Sequence, residues 1–534
     1  MKLVKPRTFK KRIKHHYNGG VDLLREKNHK LFPYQEDGLK WLISRELNNT
    51  THKGGILADD MGLGKTIQMI TLLLSNRNFG TTLLIVPPSI ISQWYNDVRS
   101  KTDFRVGVFQ GRNRGPIMLQ GFDSYDIIIT TYGMVSKRND ESYHDKLKSY
   151  HWGRIVLDEG HIVRNKKTKM YKGLLEMEKQ VCWILTGTPI HNKISDMVNL
   201  LALVGLEKQN YPGGTISKDS VKIVLKTYLL RRTKDILLEE NRLVKMDLKI
   251  VPVELEGKEL EIYYNQHNQT MRLMERFSLV NLNYLNTLVW LNKLRQTSIH
   301  PQLLIDSYNR NENTEFDKWD GNESKFQTLL NMIHGHKGEG ALVFCYYTEE
   351  INKLYSLLKN IELNVMRYDG KCSQKEKEDV LSKCRDIDYQ RYIPLICSGK
   401  NSLPFIPNNI YNQIYKYCKV DVLLMQIQSG SVGLNLQKLN RVYFTSPHWN
   451  PAIEDQAIGR CYRYGQKKPV VVTKLVSVLP SDNDITTTFE QRVLVVQGGK
   501  RELQAEIFED DRLKFNGTLG TAPYREEMIN LLGN

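Results

Sequence analysis

The sequence predicts an α/β fold made of two domains, each built on a parallel sheet. A chain of 534 residues is longer than one hydrophobic core usually organises, so two large domains are expected. Short apolar strands alternate with helical patterns in both halves, which is typical of parallel sheets. A glycine-rich turn also stands between a strand and a helix near residue 60, as in domains that bind phosphate groups.

The glycine-rich turn belongs to the segment ILADDMGLGKTIQMI and has the features of a phosphate-binding loop. Residues 54–58 are expected to form a buried strand, and residues 65–75 the helix that follows. Backbone N–H groups would face the phosphates, Lys65 would reach the β- and γ-phosphates, and Thr66 would ligate magnesium. The strict pattern has glycine at the position of Asp59, so an ordinary strand–turn–helix is the alternative on this motif alone.

A pair of carboxylates, Asp158 and Glu159, ends a second apolar strand in the segment RIVLDEGHIVRN. Carboxyl ends of parallel strands share one sheet edge, so the pair is expected beside the phosphate loop. Asp158 would hold the metal, directly or through water, and Glu159 would orient and deprotonate the attacking water. An acidic pair after a strand is usually a solvated turn, but this context favours the catalytic interpretation. A further strand ends in Thr186, Gly187 and Thr188, which suit the sensing of phosphate.

Two strands between these motifs, at residues 81–94 and 125–135, end in small or hydroxyl residues. Their ends are expected at the same sheet edge. Hydroxyl groups there can donate to a nucleic-acid backbone, and an indole can offer a flat apolar face. The candidates are Ser89, Trp94, Thr130 and Thr131. The alternative is that they are plain strand caps and a core tryptophan.

The second half repeats the alternation without a phosphate loop, in apolar segments such as GALVFCYY and RVYFTSP. Arg460 and Arg463 then lie three apart on a predicted helix and project from one face, with Gln456 one turn earlier. They could close over the γ-phosphate and stabilise the transition-state charge, as arginine fingers do. Paired arginines usually form surface salt bridges, which is the alternative.

Basic residues are concentrated at the N-terminus of a chain whose formal net charge is +17. Residues 1–30 contain ten Lys and Arg residues against two acidic ones. Such an arm attracts nucleic acid because it neutralises phosphates and releases counterions. A solvated tail or a nuclear-import signal is the alternative.

These motifs together resemble the motor core of helicase superfamily two, specifically the Swi/Snf-type ATP-dependent DNA translocases, over roughly residues 30–500. LFPYQEDGLKWL resembles the family's adenine-reading segment, ADDMGLGKT its phosphate loop and DEGH its DEAH-like hydrolysis box. The family tolerates a carboxylate where Asp59 stands. DEGHIVRN, LRQTSIHPQLL and DQAIGRCYRYGQKK resemble most the branch that contains the helicase-like transcription factor and DNA-repair translocases. TFEQRVLVVQGGKREL resembles the C-terminal brace helix.

The resemblance implies two RecA-like lobes with helical protrusions, which bind ATP and Mg²⁺ between them. The implied divisions are a basic arm (1–30), a first lobe with its protrusion (31–250), a helical protrusion and linker (251–320), a second lobe (321–480) with an insertion (386–420), and the brace helix and tail (481–534). Residues 205–250 and 258–300, helical and rich in Leu and Tyr, resemble the protrusions. The basic patch LLRRTKD (229–235) among them is either a DNA-backbone contact or a solvated helix face.

Site residues follow from the matched motifs. The implied catalytic set is Lys65, Asp158, Glu159, Gln456, Arg460 and Arg463, with Thr66 and Asp158 as the magnesium ligands. The implied ATP-binding residues are Gln35, which would read the base, Asp59, Asp60, Met61, Gly62, Leu63, Gly64, Lys65, Thr66, His161 and Gly433. The implied DNA contacts are Ser89, Trp94, Thr130, Thr131, Asn435, Trp449 and Asn450.

The chain departs from the branch at three places. Relatives often carry a RING finger after the LRQ…HP segment, but residues 305–322 contain no cysteine, so no zinc and no ubiquitin transfer are expected. His448 replaces a tryptophan. Gly459 replaces an aspartate and should soften the arginine helix. The insertion at 386–420 is expected to hold a self-packed surface helix.

The resemblance implies a DNA-dependent ATPase that moves along duplex DNA as a monomer, with low sequence specificity. The bound complex that it moves stays open among chromatin, replication and transcription assemblies. One rival is an RNA- or DNA-unwinding helicase, against which the HWNP…RYGQ block argues. Another is a nucleotide-dependent DNA clamp that does not move, against which Glu159, Arg460 and Arg463 argue.

Cysteine usage and hydropathy indicate the compartment. The seven cysteines are scattered without a C-x-x-C pair, which favours a reducing environment. The basic N-terminus lacks the apolar core of a secretory signal, and no stretch of about 18 apolar residues predicts a membrane span. We expect an intracellular protein of the nucleus or, for a viral origin, of the cytoplasmic site of viral DNA metabolism.

Overall fold

The protein forms two compact units in a computed structural model. The first comprises Met1–Glu239 with Glu506–Asp510, and the second Glu240–Ala505 with Asp511–Asn534. The structure describes residues 6–48, 52–136, 144–190, 193–240, 242–278, 284–311, 315–336, 338–361, 363–384, 420–431, 434–480 and 487–510. The predicted insertion at 386–420 and Gly433 therefore lie outside the described residues, apart from Val420.

The first unit is built on a parallel sheet in the strand order β3-β4-β2-β5-β6-β1-β7. Its strands are β1 Lys53–Leu57, β2 Thr82–Val86, β3 Val106–Val108, β4 Ile127–Thr131, β5 Trp152–Asp158, β6 Lys179–Leu185 and β7 Leu229–Leu230. Its helices are α1 Pro6–Glu26, α2 Pro33–Leu47, α3 Lys65–Ser75, α4 Ile91–Lys101, α5 Arg114–Gln120, α6 His144–Ser149, α7 Lys169–Leu175, α8 Ile194–Leu203, α9 Lys218–Tyr228 and α10 Asp235–Glu239.

The second unit has its own parallel sheet in the order β10-β11-β9-β12-β13-β8. Its strands are β8 Met246–Glu254, β9 Gly340–Cys345, β10 Val365–Tyr368, β11 Val422–Gln426, β12 Leu439–Phe444 and β13 Val470–Val478. Its helices are α11 Gly257–Ser278, α12 Tyr284–Ile299, α13 Pro301–Asn311, α14 Ser324–Gly335, α15 Thr348–Asn360, α16 Gln374–Cys384, α17 Pro451–Ile458 and α18 Phe489–Phe508. The predicted α/β fold of two parallel-sheet lobes is confirmed.

The strand order of the first sheet positions the predicted motifs. Strands β2, β4 and β5 are buried along their whole length, as expected of strands covered on both faces. Strands β5, β6 and β1 are neighbours in the order given above. Their carboxyl ends lead into the DEGH, TGTP and ADDMGLGKT segments, so the three motifs lie along one sheet edge.

A buried ion pair fixes helix α2 to this sheet. Arg154 of β5 donates to both carboxylate oxygens of Glu46 at 2.7 and 2.8 Å, and the indole of Trp183 donates to the same carboxylate at 2.9 Å. Both charged side chains are almost fully buried. Because Glu46 ends α2 and Arg154 lies on the strand that carries Asp158, the network holds the Gln35 helix and the acidic pair in one rigid frame.

Similar buried ion pairs fix α17 and α18 in the second unit. Lys325 contacts both oxygens of Glu490 at 2.8 and 2.7 Å, and Lys474 contacts Glu454. Gln497 of α18 also bonds Glu454 at 2.9 Å, next to the start of α17. The predicted brace helix is thus a helix, and polar contacts inside the core fix its first half.

The structure refines three sequence expectations about the architecture. The basic arm is helix α1, which packs Val21 and Leu24 into the core of the first unit, because its apolar residues recur at helical spacing. The first lobe ends at Glu239 and not at 250, because β8 belongs to the second sheet. Residues 229–235 are not a helix face: they include β7 and follow the edge of the first sheet.

No helix in the described ranges is long and apolar enough to cross a membrane.

Candidate active site

The phosphate loop turns at two glycines whose backbone angles suit no other residue well. Gly62 has φ 94° and Gly64 has φ 77°, and α3 begins immediately after them at Lys65. A Cβ atom on Gly64 would also lie 2.4 Å from the Gln35 amide nitrogen. Asp59 is not among the residues with positive φ, so its position does not require glycine. The predicted strand, glycine turn and helix are confirmed.

The Lys65 ammonium is held inside the loop. It donates to the backbone carbonyl of Asp59 at 2.7 Å and to that of Asp60 at 3.3 Å. Both partners are neutral oxygens, and hydrogen bonds to a charged phosphate are stronger. Lys65 is therefore placed to exchange a carbonyl for a phosphate oxygen.

Gln35 contacts the loop from helix α2. Its Oε1 accepts from the Phe32 N–H at 2.9 Å, which caps the helix, and its Nε2 donates to the Leu63 carbonyl at 3.0 Å. The side chain is 4% exposed. Recognition of the base by Gln35 stays a prediction, while its contact with the phosphate loop is observed.

Asp158 is a buried carboxylate held by its neighbours. The Trp94 indole N–H donates to Oδ2 at 2.6 Å, the Glu159 N–H donates to Oδ1 at 3.0 Å, and the Tyr132 hydroxyl donates to the backbone carbonyl at 2.7 Å. Burial, followed by the charge of Glu159, raises the pKa of Asp158 from its usual 3.8 to about 6, against the lowering effect of Trp94 and Lys65. A cation at this position would favour the ionised form.

Glu159 adopts a left-handed backbone, with φ 51° and ψ 46°, which is uncommon for this residue type. Its carboxylate lies 3.3 Å from His161 Nδ1, and the same ring nitrogen lies 3.2 Å from the Thr186 hydroxyl. The Thr186 hydroxyl in turn accepts from the Thr188 N–H at 3.1 Å. A continuous set of polar contacts therefore leads from the acidic pair into the TGTP segment.

The predicted arginine helix of the second unit is shorter than expected. Helix α17 ends at Ile458 and Gly459 is its C-cap, so Arg460 and Arg463 lie in the turns that follow and not on one helix face. Gln456 and Arg460 are both 5% exposed. Burial lowers the pKa of Arg463, because it destabilises the charged guanidinium. A nearby anion would stabilise that charge.

Three of the four DNA contacts predicted in the first unit are buried. Trp94 is 2% exposed and bonds Asp158, and Thr130 is fully buried and donates to the Phe109 carbonyl at 2.9 Å. Thr131 is 5% exposed. These three residues cannot reach a nucleic-acid backbone as placed, so the prediction is wrong for them. Ser89 is exposed.

The DNA contacts predicted in the second unit also include both exposed and buried residues. Asn435 is exposed and Trp449 is half-buried, with its ring centre 5.1 Å from the Phe489 ring centre and the two rings nearly perpendicular. Asn450 is 9% exposed, and its side-chain oxygen accepts from the Ala452 N–H at 3.1 Å. Asn450 is thus the N-cap of α17, and its prediction as a DNA contact is wrong.

Comparison with known proteins decides the family. The sequence profile of the SNF2-related domain matches residues 34–303, just over half of the chain, and that of the helicase conserved C-terminal domain matches residues 324–398 and 408–465. The chain belongs to the SNF2-related family. The predicted membership of the Swi/Snf-type helicases is confirmed.

Similar members of the SNF2-related family come from distant organisms. The putative ATP-dependent helicase/translocase of Bacillus subtilis is 27% identical over 90% of this chain and 49% of its own length. The helicase-like transcription factor of Homo sapiens is 25% identical over 80% of this chain and 50% of its own. The chain spans about half the length of these relatives. The Sulfolobus solfataricus SWI2/SNF2 ATPase core in complex with dsDNA is 24% identical, covering 94% of this chain and 97% of that one, with a TM-score of 0.39.

The oxygen groups of this SNF2-related site fit a magnesium ion. Thr66 lies in the first turn of α3, and Asp158 presents a buried carboxylate whose pKa is raised by burial and by the charge of Glu159. Carboxylate and hydroxyl oxygens are the ligands that Mg²⁺ prefers in nucleotide sites. Thr66 and Asp158 are the residues that would hold it.

We expect Asp158→Asn to abolish ATP turnover and yet to stabilise the nucleotide-free protein near neutral pH. The pKa of this acid is raised to about 6 from 3.8, so folding favours the protonated form and stability falls as the pH rises through that range. Asparagine removes this cost, on the order of 1–3 kcal/mol. Thermal unfolding without nucleotide should show a larger gain at pH 8 than at pH 5.

Asp219→Asn is the matched control, because Asp219 is exposed on α9. It should give no comparable gain. A loss of stability in Asp158→Asn at pH 8 would contradict the expected cost of burying the Asp158 charge.

The sequence analysis missed the roles of two residues that bond the acidic residues of this site. Trp94 lies with Ile91 and Val98 on the buried stripe of α4, and this helical spacing could have identified it as a core residue. Arg232, within the basic patch, pairs with the buried Asp59 carboxylate. The only sequence signal for that pair is an acidic residue directly after a buried strand, which requires a partner.

Proposed function

We propose that this protein is an ATP hydrolase that translocates on duplex DNA and remodels or displaces complexes bound to it. One observation carries the proposal: Lys65, the Asp158–Glu159 pair and Thr186 lie along one edge of the first sheet, in a chain of the SNF2-related family. The named relatives include a helicase/translocase, which supports movement on a polynucleotide.

Each residue of the first unit has a distinct task in hydrolysis. Lys65 moves from the Asp59 carbonyl to the β- and γ-phosphates. Glu159 orients the attacking water and takes its proton, and its strained backbone fixes the carboxylate for this step. When bound, Mg²⁺ neutralises phosphate charge. Trp94 holds the Asp158 carboxylate, which would ligate the ion.

The contacts from Glu159 through His161 to Thr186 report the state of the γ-phosphate. A change at Glu159 alters the partner of His161 Nδ1, and His161 also contacts the Thr186 hydroxyl. Thr186 follows β6 and bonds the Thr188 N–H. Loss of the γ-phosphate would thereby change a hydrogen bond in the TGTP segment.

The second unit supplies the cations of the transition state. We assign this task to Arg460 and Arg463, which follow α17, together with Gln456 of that helix. A buried guanidinium is a strong donor to phosphate oxygens and needs little reorganisation when charge develops. Gly433 and the base contact of Gln35 complete the proposed ATP site.

Duplex DNA is the proposed partner, contacted through its backbone. Ser89, Asn435 and Trp449 are the predicted contacts that remain at least partly exposed. Backbone contacts carry no sequence information, so the motor should be sequence-tolerant. We propose that it works as a monomer in the nucleus or, for a viral origin, at the cytoplasmic site of viral DNA metabolism.

The deciding experiment compares ATP hydrolysis without nucleic acid and with duplex DNA, single-stranded DNA or RNA. The proposal requires the strongest stimulation by duplex DNA. Stimulation by RNA or by single strands alone would favour the unwinding helicase. Tight DNA binding with negligible hydrolysis would favour the clamp.

Helix α1 offers a specific prediction about DNA affinity. Its apolar face is docked, while Lys10, Lys11 and Lys14 are exposed. Changing these three lysines to glutamine should lower duplex affinity and reduce the slope of log K against log salt by about 2–3, because each phosphate contact contributes about 0.9. Binding titrations at several salt concentrations measure this.

The control removes the same charge elsewhere in the first unit, with Lys208, Lys218 and Lys226 changed to glutamine. These side chains belong to the surface around α9. Equal slopes for both triple variants would show that net charge, and not α1, sets the affinity. Removing residues 1–30 is the poorer test, because it would also strip Val21 and Leu24 from the core.

A further inference from the structure

The residue that departs from the strict phosphate-loop pattern, Asp59, has a dedicated partner. Asp59 is fully buried. Arg232 donates Nε to Asp59 Oδ1 at 2.9 Å, and its Nη2 contacts Oδ2, so the guanidinium grips the carboxylate at two points. We call residues 229–235, which carry this arginine, the strap.

The strap runs parallel to the end of β1 and to the first residues of the phosphate loop. Strand β7 pairs with the end of β1, with Leu229 opposite Ile56 and Leu230 opposite Leu57. Backbone bonds continue beyond the strands, from the Ala58 N–H to the Leu230 carbonyl at 2.7 Å and from the Asp60 N–H to the Arg232 carbonyl at 2.9 Å. The strap therefore extends the sheet along the first residues of the phosphate loop.

Side chains on three elements converge on the Arg232 guanidinium. Its Nη2 donates to Gln68 Oε1 at 2.7 Å, and Gln68 Nε2 donates to Asp59 Oδ2 at 3.1 Å, so a helix α3 residue closes the triangle. The guanidinium also lies 5.2 Å over the Tyr34 ring of α2. A Cβ on Gly38 would lie 2.7 Å from Nη2, which accounts for a glycine inside α2.

Asp59 connects this triangle to the ATP-binding lysine. Its carboxylate is held by Arg232, while its backbone carbonyl accepts from Lys65 Nζ at 2.7 Å. The two groups belong to one residue, so holding the carboxylate limits how far the carbonyl can move. The neighbouring Arg231 contacts Asp60 at 3.5 Å, and its guanidinium lies 4.8 Å over the Phe508 ring.

We infer that Arg232 is a positioning residue for the triphosphate: through Asp59 it sets where Lys65 meets the phosphates. The inference rests on the proposed ATP site but not on translocation or on DNA. The inference explains why an aspartate stands where the strict pattern has glycine, since a glycine could not form the ion pair with Arg232. An ion pair that served folding alone would fix the fold equally and leave nucleotide affinity unchanged.

The test replaces Arg232 with lysine, which keeps the charge and loses the two-point grip. ATP and AMP affinities are measured by titration without DNA, together with thermal unfolding. We expect ATP affinity to fall by at least about tenfold, since small displacements of a positioned group have effects of this size or more. AMP, which lacks the β- and γ-phosphates that Lys65 reaches, should lose little.

Arg231→Lys is the matched control, an adjacent arginine in the same strap with the same chemical change. It should leave the ATP affinity within about twofold of wild type, because Arg231 contacts Asp60 and Phe508 and not the Asp59 carboxylate. A lower melting temperature in Arg232→Lys with unchanged ATP affinity would overturn the inference. So would an equal loss for ATP and AMP, or an equal loss in Arg231→Lys.

A second variant covers the case in which Arg232→Lys does not fold. The pair Asp59→Asn with Arg232→Gln buries no unpaired charge, and glutamine is too short to restore the two-point contact. It should show the same selective loss of ATP affinity, and wild-type ATP affinity in this pair would overturn the inference. If wild-type protein binds ATP but fails to move on DNA, the proposed function fails while this inference stands.

Discussion

Changing Glu159 to glutamine is expected to slow ATP turnover by about 100- to 10,000-fold while ATP still binds. The substitution removes the group that takes the proton of the attacking water and keeps the size of the side chain. Its backbone, held in the left-handed region, and its contact with His161 place the carboxylate at the end of β5, beside the phosphate loop. Steady-state hydrolysis and nucleotide titration together measure the two effects.

Lys65→Ala should fail differently, with ATP binding itself weakened, because the cation that meets the phosphates is gone. Glu178→Gln is the matched control for Glu159, since Glu178 is an exposed glutamate of the same unit. Near-normal hydrolysis by Glu159→Gln would show that the DEGH segment is not the hydrolysis box.

The ATP site could be predicted from the sequence because its signals are local. A strand, two glycines, Lys65 and a helix follow one another within about 20 residues, and the parallel order of an α/β sheet brings their end beside Asp158. Local patterns fix each element, and topology rules fix the shared edge. The structure added the geometry of Lys65 and the raised pKa of Asp158, which depend on burial.

What could not be predicted is the choice of partners distant in sequence. Asp59 and Arg232 are separated by 173 residues, and no periodicity links them. The indole of Trp94, taken alone, predicts a DNA contact, whereas its place on the buried stripe of α4 decides its role. The basic N-terminus was interpreted by charge, although Val21 and Leu24 dock it as a helix.

Helix α17 shows how a single residue limits a motif prediction. The spacing of Arg460 and Arg463 predicts one helix face, and the mid-helix Gly459 was expected only to soften it. The helix instead ends there, because glycine is a weak helix former and its N–H closes the last turn on Asp455 at 2.9 Å. The two arginines therefore lie in the turns after the helix. Helical spacing does not decide their direction, so their proposed role needs a direct test.

The motor is expected to track along duplex DNA without separating its strands. Unstacking costs about 1.4 kcal/mol per base-pair step, so strand separation needs a wedge in addition to two gripping lobes. The described parts of the two units are two sheets with flanking helices, and we identify no wedge among them. A triplex-forming third strand should be displaced with ATP, because a tracking motor pushes it from the major groove, while a forked duplex should stay annealed.

Arg460→Ala or Arg463→Ala should abolish this displacement and leave duplex binding nearly intact, because these residues act on ATP and not on the DNA backbone. Arg310→Ala is the control, since Arg310 is an exposed arginine of the second unit, paired with Glu349. Displacement is followed by native gel electrophoresis of the labelled third strand, alongside duplex affinity for each variant. Efficient unwinding of the forked duplex, with the third strand left in place, would reject the translocase and favour the helicase.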